Sequence, residues 1–403
     1  MSASYNFYKK IDLVILSGGK GTRIKKFLGP FPKPMIKFNN KNFTQYVLNT
    51  FSKFNFKRIF ILCGYRSNIF FKKFHKKKIN LTEITCIKEK HLLGTGGALF
   101  NLKRFNVKDF ILVNGDTIFN INLNTLVDRF SGKKNRIGII ALTKNKSQES
   151  KKLNLLKLNK NLVSLAGKSS VMNGGIYFFK SKIFKYVLKK KMSLERDILP
   201  ELIQKQRIEG KFFHDFFLDI GSKFFLSKAS ALLKKEFSKK AIFLDRDGVI
   251  NYDYGHVHKL NSFKFRKGVI DGLKYLTKKK FYIFIVTNQA GIGKKLYSEN
   301  NFINLHKEIN KRFVKHGIYI DEVQFSPYHP KALDRKYKKN SQMRKPGNKM
   351  IENIKANWDI NLKKSFMIGD KLSDMKASKK SKLRFYYAEE NFNKQVRKII
   401  NNY

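Results

Sequence analysis

Two groups of residues in this chain have the types and spacing that phosphate chemistry needs, and about 220 positions separate them. The first is LSGGKGTR, which directly follows an apolar run. Its glycines allow the backbone to approach phosphate oxygens, and the threonine and arginine after them can orient and neutralise charge. These loop candidates are Gly18, Gly19, Gly21, Thr22 and Arg23. The second group, FLDRDGVIN, begins at Phe243 and contains the carboxylates of Asp245 and Asp247.

A second basic position strengthens the interpretation of the glycine loop. In FPKPM, Pro32 and Pro34 stiffen the chain on both sides of Lys33, so a cation is presented from a defined place. A glycine loop alone is a weak signal, whereas the loop followed by this lysine is specific. The combination resembles the sugar-1-phosphate nucleotidyltransferase family, and the resemblance covers the whole N-terminal half.

The resemblance implies sites for a nucleotide, a sugar phosphate and a metal. EKHLLGTGGAL is similar to the segment that faces the nucleobase, and its base-loop residues are Gly94, Thr95 and Gly97. The implied sugar and phosphate contacts are Glu89, Asn173, Gly174 and Glu195. The implied Mg²⁺ ligands are Asp116 and Asp219.

In that chemistry, an oxygen of a sugar 1-phosphate attacks the α-phosphorus of a nucleoside triphosphate and pyrophosphate leaves. Arg23 and Lys33 are the expected catalytic cations. The attacking phosphate is already ionised, so positioning and charge neutralisation, with help from Mg²⁺, supply most of the acceleration.

Asp245 and Asp247 begin a second ordered set of motifs. A buried-strand pattern, AIFL, ends directly before Asp245, and Gly248 allows a sharp turn. The pattern resembles the haloacid dehalogenase superfamily of phosphotransferases, in which the first aspartate attacks phosphorus. The second aspartate donates a proton to the leaving oxygen and later takes one from water.

The same resemblance implies a phosphate site and a metal site in the C-terminal half. The expected phosphate contacts are Thr287, Asn288 and the charge clamp Lys345. The expected Mg²⁺ ligands are Asp245, Asp370 and the backbone of Asp247. Asp374 is expected to orient this shell. The motifs are too closely spaced to hold a cap domain, so specificity must come from loops.

The loops beside these motifs indicate a particular group within the superfamily. NYDYGHVHKLNSFKF, VTNQAGIGKKLYS, SPYHP and RKPG together resemble the D-glycero-D-manno-heptose 1,7-bisphosphate phosphatases and their histidinol-phosphatase relatives. The resemblance implies substrate contacts from His256, His258 and Arg344, although solvent-facing loop polarity explains the two histidines equally well. Members commonly carry a zinc loop of cysteines and a histidine before the RKP motif. Here His329 is the only histidine nearby and no cysteine occurs, so we predict no zinc.

Composition favours phosphorylated substrates without indicating a specific nucleic acid site. Lys and Arg number 85 against 29 Asp and Glu, a formal net charge of +56, and the basic residues are spread over both halves. Cys63 and Cys86 lie in apolar runs typical of buried strands, so we expect no disulfide. No basic region followed by a long apolar segment occurs near the start, which favours a cytoplasmic protein without a membrane partner.

Alternating strand-like and helical runs must position these motifs. Up to Phe237 they predict a doubly wound, Rossmann-like α/β domain with a mixed sheet, including a hairpin at 153–165. From Ala241 they predict a smaller, haloacid dehalogenase-like α/β domain without a cap. We place the domains at 1–237 and 241–403, because a helical run ends and a new strand begins at this joint.

Together the two resemblances predict consecutive steps on one sugar. Loss of the 7-phosphate from heptose 1,7-bisphosphate yields heptose 1-phosphate, the kind of acceptor that the first half uses. Heptose pathways of this type end in ADP- or GDP-heptose, and the adenylyl branch uses a transferase that lacks the GGxGTR loop, so GTP is favoured. The product would be a donor for surface polysaccharide assembly.

Several alternatives stay open at this point. The nucleotide could be another nucleoside triphosphate, the sugar could be of the mannose or glucose type, and the phosphatase could be of the histidinol-phosphate type. A non-catalytic polyanion-binding protein is a more distant alternative, motivated by the charge. The sequence determines neither the anomer nor the oligomeric state.

Overall fold

The computed structural model of the chain divides into two compact units, Met1–Leu233 and Lys234–Tyr403. The boundary falls inside the helix Lys223–Phe237. The structure describes residues 11–19, 21, 31–54, 56–144, 156–165, 171–221 and 223–402.

A mixed sheet forms the frame of the first unit. Its strands within the described residues are β1 Asp12–Ser17, β2 Lys37–Phe38, β3 Lys41–Asn42, β4 Ile59–Cys63, β5 Lys78–Ile79, β6 Thr82–Lys88, β7 Phe110–Asn114, β8 Thr117–Phe119, β9 Gly138–Lys144, β10 Leu156–Asn159, β11 Leu162–Leu165, β12 Val171–Phe179, β13 Ile208–Phe212 and β14 Phe217–Asp219. Ten of these form one sheet in the order β10-β11-β13-β9-β12-β7-β1-β4-β6-β5. The predicted mixed sheet is confirmed, and β10 and β11 form an antiparallel hairpin at the predicted place.

The centre of this sheet is parallel and fully buried. β1 lies between β4 and β7, and all of its residues are buried. A parallel strand covered on both faces needs an almost continuous apolar run, which explains DLVILS, IFILC and FILVN. Leu16 is in register with Asn114, so the residues that follow β1 and β7 lie at the same edge. Open α/β sheets bind ligands at this edge.

Helices cover the sheet of the first unit. Those described are α1 Phe43–Ser52, α2 Ser67–Phe74, α3 Gly94–Gly97, α4 Leu123–Arg129, α5 Leu199–Gln204 and α6 Lys223–Phe237. The unit also has 3-10 turns at Lys33–Met35, Ala98–Phe105 and Ser181–Lys185 and a π-helical turn at Leu194–Ile198. The helical turn at Ala98–Phe105 is a 3-10 helix that directly follows the glycine-rich turn α3.

The second unit has a parallel sheet. Its described strands are β15 Ala241–Leu244, β16 Tyr282–Asn288, β17 Glu322–Ser326, β18 Phe366–Gly369 and β19 Arg384–Tyr387. They lie in the order β17-β16-β15-β18-β19. The described helices are α7 Val269–Lys278, α8 Ala290–Gly293, α9 Glu299–Lys315, α10 Lys349–Asn357, α11 Leu372–Lys380 and α12 Phe392–Asn401, with 3-10 turns at Arg335–Tyr337 and Leu362–Lys364. The predicted haloacid dehalogenase-like α/β fold is confirmed.

The sheet of the second unit brings its motifs to one edge. β15 is parallel to both β16 and β18, so Asp245, Thr287 and Asp370 all lie at or just after carboxyl ends of neighbouring strands. The strand β19 and the helices α8, α11 and α12 were not predicted from the sequence. β19 is an edge strand without a fully buried residue, so it lacks the apolar run that marked the inner strands. In the described part of the chain, the helices are all too short or too polar to cross a membrane.

Candidate functional sites

The glycine loop leaves the central strand of the first unit. Gly18 and Gly19 follow β1, and Gly21 has a left-handed backbone with a φ of 65°. A Cβ atom on Gly18 would lie 2.4 Å from Glu89 Oε1, so glycine lets the loop pass against that carboxylate. Two further loop residues of the prediction, Thr22 and Arg23, lie outside the described residues.

Lys33 and the two predicted metal aspartates converge. Lys33 is buried in a one-turn helix, and its Nζ donates to Asp116 Oδ2 at 2.7 Å. Asp116 precedes β8 and Asp219 ends β14, and these two strands pair antiparallel, so the aspartates are neighbours. A Cβ atom on Gly221 would be 2.9 Å from Asp219 Oδ1 and 3.0 Å from Lys33 Nζ. The ammonium and both carboxylates therefore surround one point.

This arrangement of Asp116 and Asp219 fits a magnesium ion. Mg²⁺ prefers oxygen ligands and is commonly held by one or two carboxylates together with substrate phosphates. The Asp116 side chain is 32% exposed, which leaves room for phosphate oxygens. The ammonium of Lys33 shows that the site already accommodates a positive charge against this carboxylate.

The base loop is fastened to the predicted sugar segment. Thr95 Oγ1 donates to Glu195 Oε2 at 2.7 Å. Gly94 is left-handed, with a φ of 76°, and a side chain there would collide with the main chain of Met192. The main-chain N–H of Gly97 donates to the carbonyl of the same Met192 at 3.2 Å. Residues predicted for the base and for the sugar thus form one continuous surface.

A buried tyrosine that the sequence analysis missed positions Asn173. Asn173 Nδ2 donates to the hydroxyl of Tyr177 at 2.6 Å. Burial raises the pKa of Tyr177, and the negative charge of Glu195 adds to this effect, so the hydroxyl keeps its proton. The neighbouring Gly174 packs against the ring of Phe119, where a Cβ atom would lie 2.5 Å from a ring carbon.

Glu89 lies between the glycine loop and the predicted base loop. Its carboxylate touches the glycine loop at Gly18, and its Oε2 accepts from the main-chain N–H of Leu93 at 3.3 Å. The side chain is buried, and burial raises its pKa. Glu89 was predicted among the sugar and phosphate contacts, whereas its neighbours in the structure belong to the glycine loop and the predicted base loop.

In the second unit, a buried lysine holds Asp245. Lys345 Nζ lies 2.9 Å from Asp245 Oδ1 and 2.6 Å from Asp374 Oδ1, and it donates to the carbonyl of Val286 at 2.9 Å. Burial raises the pKa of Asp245 to about 6, although Lys345 opposes the effect. Burial alone would lower the pKa of Lys345, but the carboxylates of Asp245 and Asp374 raise it. Lys345 therefore stays a cation, as a phosphate clamp must.

A group of carboxylates beside this lysine fits a divalent cation. Asp245, Asp370 and Asp374 each offer an oxygen, and these oxygens lie within 4.8 Å of one another. Asp370 Oδ1 is buried without a hydrogen-bond partner among the described residues, and burial raises the pKa of Asp370. Mg²⁺ prefers oxygen ligands and would offset the repulsion between these carboxylates. Asp374, predicted to orient the shell, lies in the same group.

The Asp247 carboxylate faces a different set of partners. It accepts hydrogen bonds from Arg246 at 2.7 Å, from Asn251 Nδ2 at 2.9 Å and from Gln289 Nε2 at 3.0 Å. The Arg246 side chain is fully buried. None of these three donors was predicted, although Arg246 and Gln289 each lie beside a predicted site residue in the sequence.

The two residues at the end of β16 use their side chains differently. Thr287 Oγ1 accepts from Gln289 Nε2 at 2.9 Å, so its own hydroxyl proton can point elsewhere. Asn288 holds the main chain of Lys345 from both sides. Its Oδ1 accepts from the Lys345 N–H at 2.9 Å, and its Nδ2 donates to the Lys345 carbonyl at 3.1 Å. Asn288 therefore positions the clamp, and its contact with phosphate stays a prediction.

The predicted substrate residues lie in two loops. The ring of His258 stacks on Tyr297, with centroids 4.7 Å apart, and its Nδ1 contacts the carbonyl of His256 at 2.8 Å. Arg344 donates to the carbonyl of Tyr328 at 3.4 Å, and burial lowers its pKa. Substrate contacts of these side chains stay predictions.

The segment between β17 and Lys345 does not fit a zinc ion. A structural zinc needs about four ligands, and His329 is the one histidine in this segment, which has no cysteine. Among the described residues, the only group of three or more potential ligands is the aspartate group at Asp245. Packing around Tyr337 holds the segment instead. The Tyr337 side chain is buried, and its hydroxyl donates to Glu299 Oε1 at 2.5 Å, while its main-chain carbonyl accepts from the His329 N–H at 3.1 Å.

Because the segment does not fit zinc, zinc-selective chelators are expected to leave phosphatase activity unchanged. Because packing holds the segment, Tyr337→Ala should lower the free energy of unfolding of this unit by about 3 kcal/mol, the cost of truncating a large buried side chain. Trp358 is the only tryptophan of the chain and is buried in this unit, so its fluorescence during urea unfolding reports the change. Tyr254→Ala, at an exposed tyrosine, is the matched control. If a chelator inactivated the phosphatase and added zinc restored its activity, the prediction that no zinc is bound would be wrong.

Family comparisons match both units. Residues 13–236, more than half of the chain, match the nucleotidyl transferase family. Residues 242–397 match the polynucleotide kinase 3 phosphatase family.

Individual proteins are also similar to the chain. The D-glycero-beta-D-manno-heptose-1,7-bisphosphate 7-phosphatase of Photorhabdus laumondii is 38% identical over 143 residues, which are 36% of this chain and 76% of that protein. The protein of the same name from Escherichia coli K12 is 36% identical over 141 residues, 35% of this chain and 74% of that protein. The crystal structure of HddC from Yersinia pseudotuberculosis complexed with GMP-PN is 26% identical and covers 55% of this chain and 98% of that chain, with a TM-score of 0.47.

The matched segments contain the two sites. The first match includes Lys33, Asp116 and Asp219, and the second includes Asp245 and Lys345. The chain thus joins a nucleotidyltransferase to a phosphatase: its first unit belongs to the nucleotidyl transferase family, and its second to the family of the heptose-1,7-bisphosphate 7-phosphatases.

Proposed function

We propose that the chain is a bifunctional enzyme of sugar-nucleotide synthesis. The second unit removes the 7-phosphate from D-glycero-D-manno-heptose 1,7-bisphosphate, and the first transfers a guanylyl group from GTP to the resulting heptose 1-phosphate. The observation that carries this proposal is the Asp245–Lys345–Asp374 cluster in a unit related to 7-phosphatases, on the same chain as the converging Lys33, Asp116 and Asp219.

In the phosphatase step, a carboxylate oxygen of Asp245 attacks the phosphorus, and the bond from phosphorus to the sugar oxygen breaks. Asp247 gives a proton to that oxygen, which leaves as the hydroxyl of the sugar. Asp247 then takes a proton from water, which attacks the aspartyl phosphate and releases inorganic phosphate. Lys345 and the Thr287 hydroxyl stabilise the phosphoryl oxygens. Mg²⁺ held by Asp245 and Asp370 would neutralise phosphoryl charge.

In the transfer step, a phosphate oxygen of the heptose 1-phosphate attacks the α-phosphorus of GTP, and pyrophosphate leaves. Lys33 lies beside Asp116, where its charge can stabilise the phosphoryl oxygens. Asp116 and Asp219 would hold Mg²⁺, which would offset the negative charge of the phosphates during the transfer. Asn173 and Glu195, on the surface continuous with the base loop, would orient the sugar hydroxyls.

The position of Glu89 supports a guanine nucleotide. Guanine presents two adjacent donors, N1–H and the N2 amino group, and a carboxylate can accept from both. Adenine presents an acceptor where guanine has N1–H, so the same carboxylate disfavours it. Glu89 lies against Gly18 and Leu93, in the two loops expected to hold the nucleotide.

Glu89→Gln is expected to lower kcat/KM for GTP by about tenfold, because one accepting oxygen becomes a donor that faces a donor. The value for ATP should change by less than about threefold, since adenine does not offer that pair of donors. Pyrophosphate release with each nucleotide measures both values. Glu83→Gln, at an exposed glutamate of β6, is the matched control. An equal loss with GTP and ATP would argue against base reading by Glu89.

The function is tested by incubating the purified protein with Mg²⁺, heptose 1,7-bisphosphate of each anomer, and each nucleoside triphosphate in turn. Phosphorus NMR should show inorganic phosphate first, then pyrophosphate and a sugar nucleotide with GTP. Mannose and glucose 1-phosphates serve as competing acceptors. Release of phosphate without pyrophosphate for every nucleotide would overturn the bifunctional proposal.

A further inference from the structure

The side chain of Asp247 is surrounded by hydrogen-bond donors. Arg246 contacts both of its oxygens, Asn251 donates to Oδ1 and Gln289 donates to Oδ2. Arg246 and Asn251 are near neighbours of Asp247 in the chain, whereas Gln289 comes from the end of β16, 42 positions away. Gln289 is thus the contact that ties this carboxylate to the central sheet.

The amide of Gln289 has to face one particular way. Its Nε2 donates to Asp247 Oδ2 at 3.0 Å and to Thr287 Oγ1 at 2.9 Å. The hydroxyl of Tyr297 donates to Gln289 Oε1 at 2.7 Å. Because a carboxylate only accepts, a half-turn of the amide would place two acceptors against each other at Asp247. In the orientation that the carboxylate requires, Oε1 faces the Tyr297 hydroxyl, whose hydrogen bond holds the amide in place.

Tyr297 is itself firmly placed. Its side chain is buried, one face stacks on the ring of His258, and its edge lies against Gly291, where a Cβ atom would come within 2.2 Å. Burial raises the pKa of Tyr297 to about 12, so the hydroxyl remains a donor at neutral pH. Packing alone would be served equally well by phenylalanine, and the hydroxyl is the part that reaches Gln289.

We propose that Tyr297 is a positioning residue for the acid–base carboxylate of Asp247 and acts through Gln289. This inference rests on the proposed phosphatase function. Without the hydroxyl, Gln289 Oε1 loses its hydrogen bond, so the amide is anchored only through its Nε2, and Asp247 Oδ2 loses a firmly held donor. The carboxylate then spends less time where its proton can reach the leaving oxygen of the substrate.

The leaving group distinguishes this role from a merely structural one. A sugar alkoxide needs a proton as it leaves, whereas p-nitrophenolate is stable enough to leave without one. The ratio kcat/KM reports only the steps through departure of the leaving group, so later hydrolysis of the aspartyl phosphate does not affect it. A defect in Asp247 placement therefore reduces kcat/KM for the sugar phosphate and spares kcat/KM for p-nitrophenyl phosphate.

The test compares the wild-type protein with Tyr297→Phe on heptose 1,7-bisphosphate and on p-nitrophenyl phosphate. We expect kcat/KM to fall about tenfold for the sugar phosphate and less than about twofold for p-nitrophenyl phosphate. Tyr282→Phe is the matched control, because it removes another buried, hydrogen-bonded hydroxyl, at the opposite end of β16. Equal losses with both substrates, or no loss with either, would overturn the inference.

A second variant keeps the test decisive if Tyr297→Phe is unstable. Gln289→Met removes the intermediate amide, and its loss should again depend on the leaving group. Adding Tyr297→Phe to it should cause no further loss of kcat/KM for the sugar phosphate, because both changes break one chain of contacts. Additive losses would overturn the inference while leaving the proposed function intact. A wild-type protein inactive on both substrates would overturn the proposed function and this inference with it.

Discussion

Asp245→Asn is expected to abolish phosphate release from heptose 1,7-bisphosphate while transfer to supplied heptose 1-phosphate continues at the wild-type rate. The amide cannot form the aspartyl phosphate, so the rate should fall by about 10⁴-fold or more. The fold should tolerate the change because Lys345 keeps Asp374 as a counter-ion at 2.6 Å. Phosphate and pyrophosphate assays on the same preparation measure the two activities.

The matched control for this variant is Asp271→Asn, at an exposed aspartate in the first turn of α7. It should leave both activities unchanged. If Asp245→Asn also stopped transfer to supplied heptose 1-phosphate, the two sites would depend on each other. Residual phosphate release above about one per cent would show that Asp245 is not the nucleophile.

Asp116→Asn is expected to have the reverse effect. Pyrophosphate release should fall by about a hundredfold to a thousandfold, because Lys33 loses its charged partner and the proposed Mg²⁺ site loses one of its two carboxylates. Phosphate release from the bisphosphate should not change. Asp128→Asn, at an exposed aspartate of α4, is the control with the same chemical change.

The two variants, each expected to lack one of the two activities, can also be tested as a mixture. An equal mixture of Asp245→Asn and Asp116→Asn should again convert the bisphosphate and GTP into the sugar nucleotide, because each protein supplies the step that the other lacks. Failure of the mixture, when each variant retains its expected single activity, would contradict the proposed order of steps through free heptose 1-phosphate.

The edge of the phosphatase sheet was predictable because the pattern around it is local. AIFL, YIFIVTN and FMIG are short apolar runs that form β15, β16 and β18, and each is followed closely by a residue that can act on phosphate. Parallel strands place their carboxyl ends together, which brings the predicted site residues Asp245, Thr287 and Asp370 to one edge. The structure has them there.

Residues adjacent to the motifs were harder to interpret. Arg246 and Gln289 each lie one position from a predicted site residue, and both contact Asp247. In the loops after these strands, the side-chain direction follows no period, so the sequence does not show which neighbour turns toward the site. Glu89 is a related case, because its contacts with the two nucleotide loops depend on how those loops pass one another.

The two chemistries, the strands that carry them and most of the charged groups could be predicted from the sequence, because motifs and apolar runs are local patterns. Which of those groups meet depends on the tertiary fold. Lys33 and Asp116 are 83 positions apart and Thr95 and Glu195 are 100 apart, yet each pair lies at 2.7 Å. The route from Tyr297 through Gln289 to Asp247 likewise exists only in the folded chain. Such contacts depend on how separate loops pack at the ends of the strands, and no local pattern of residues specifies that packing.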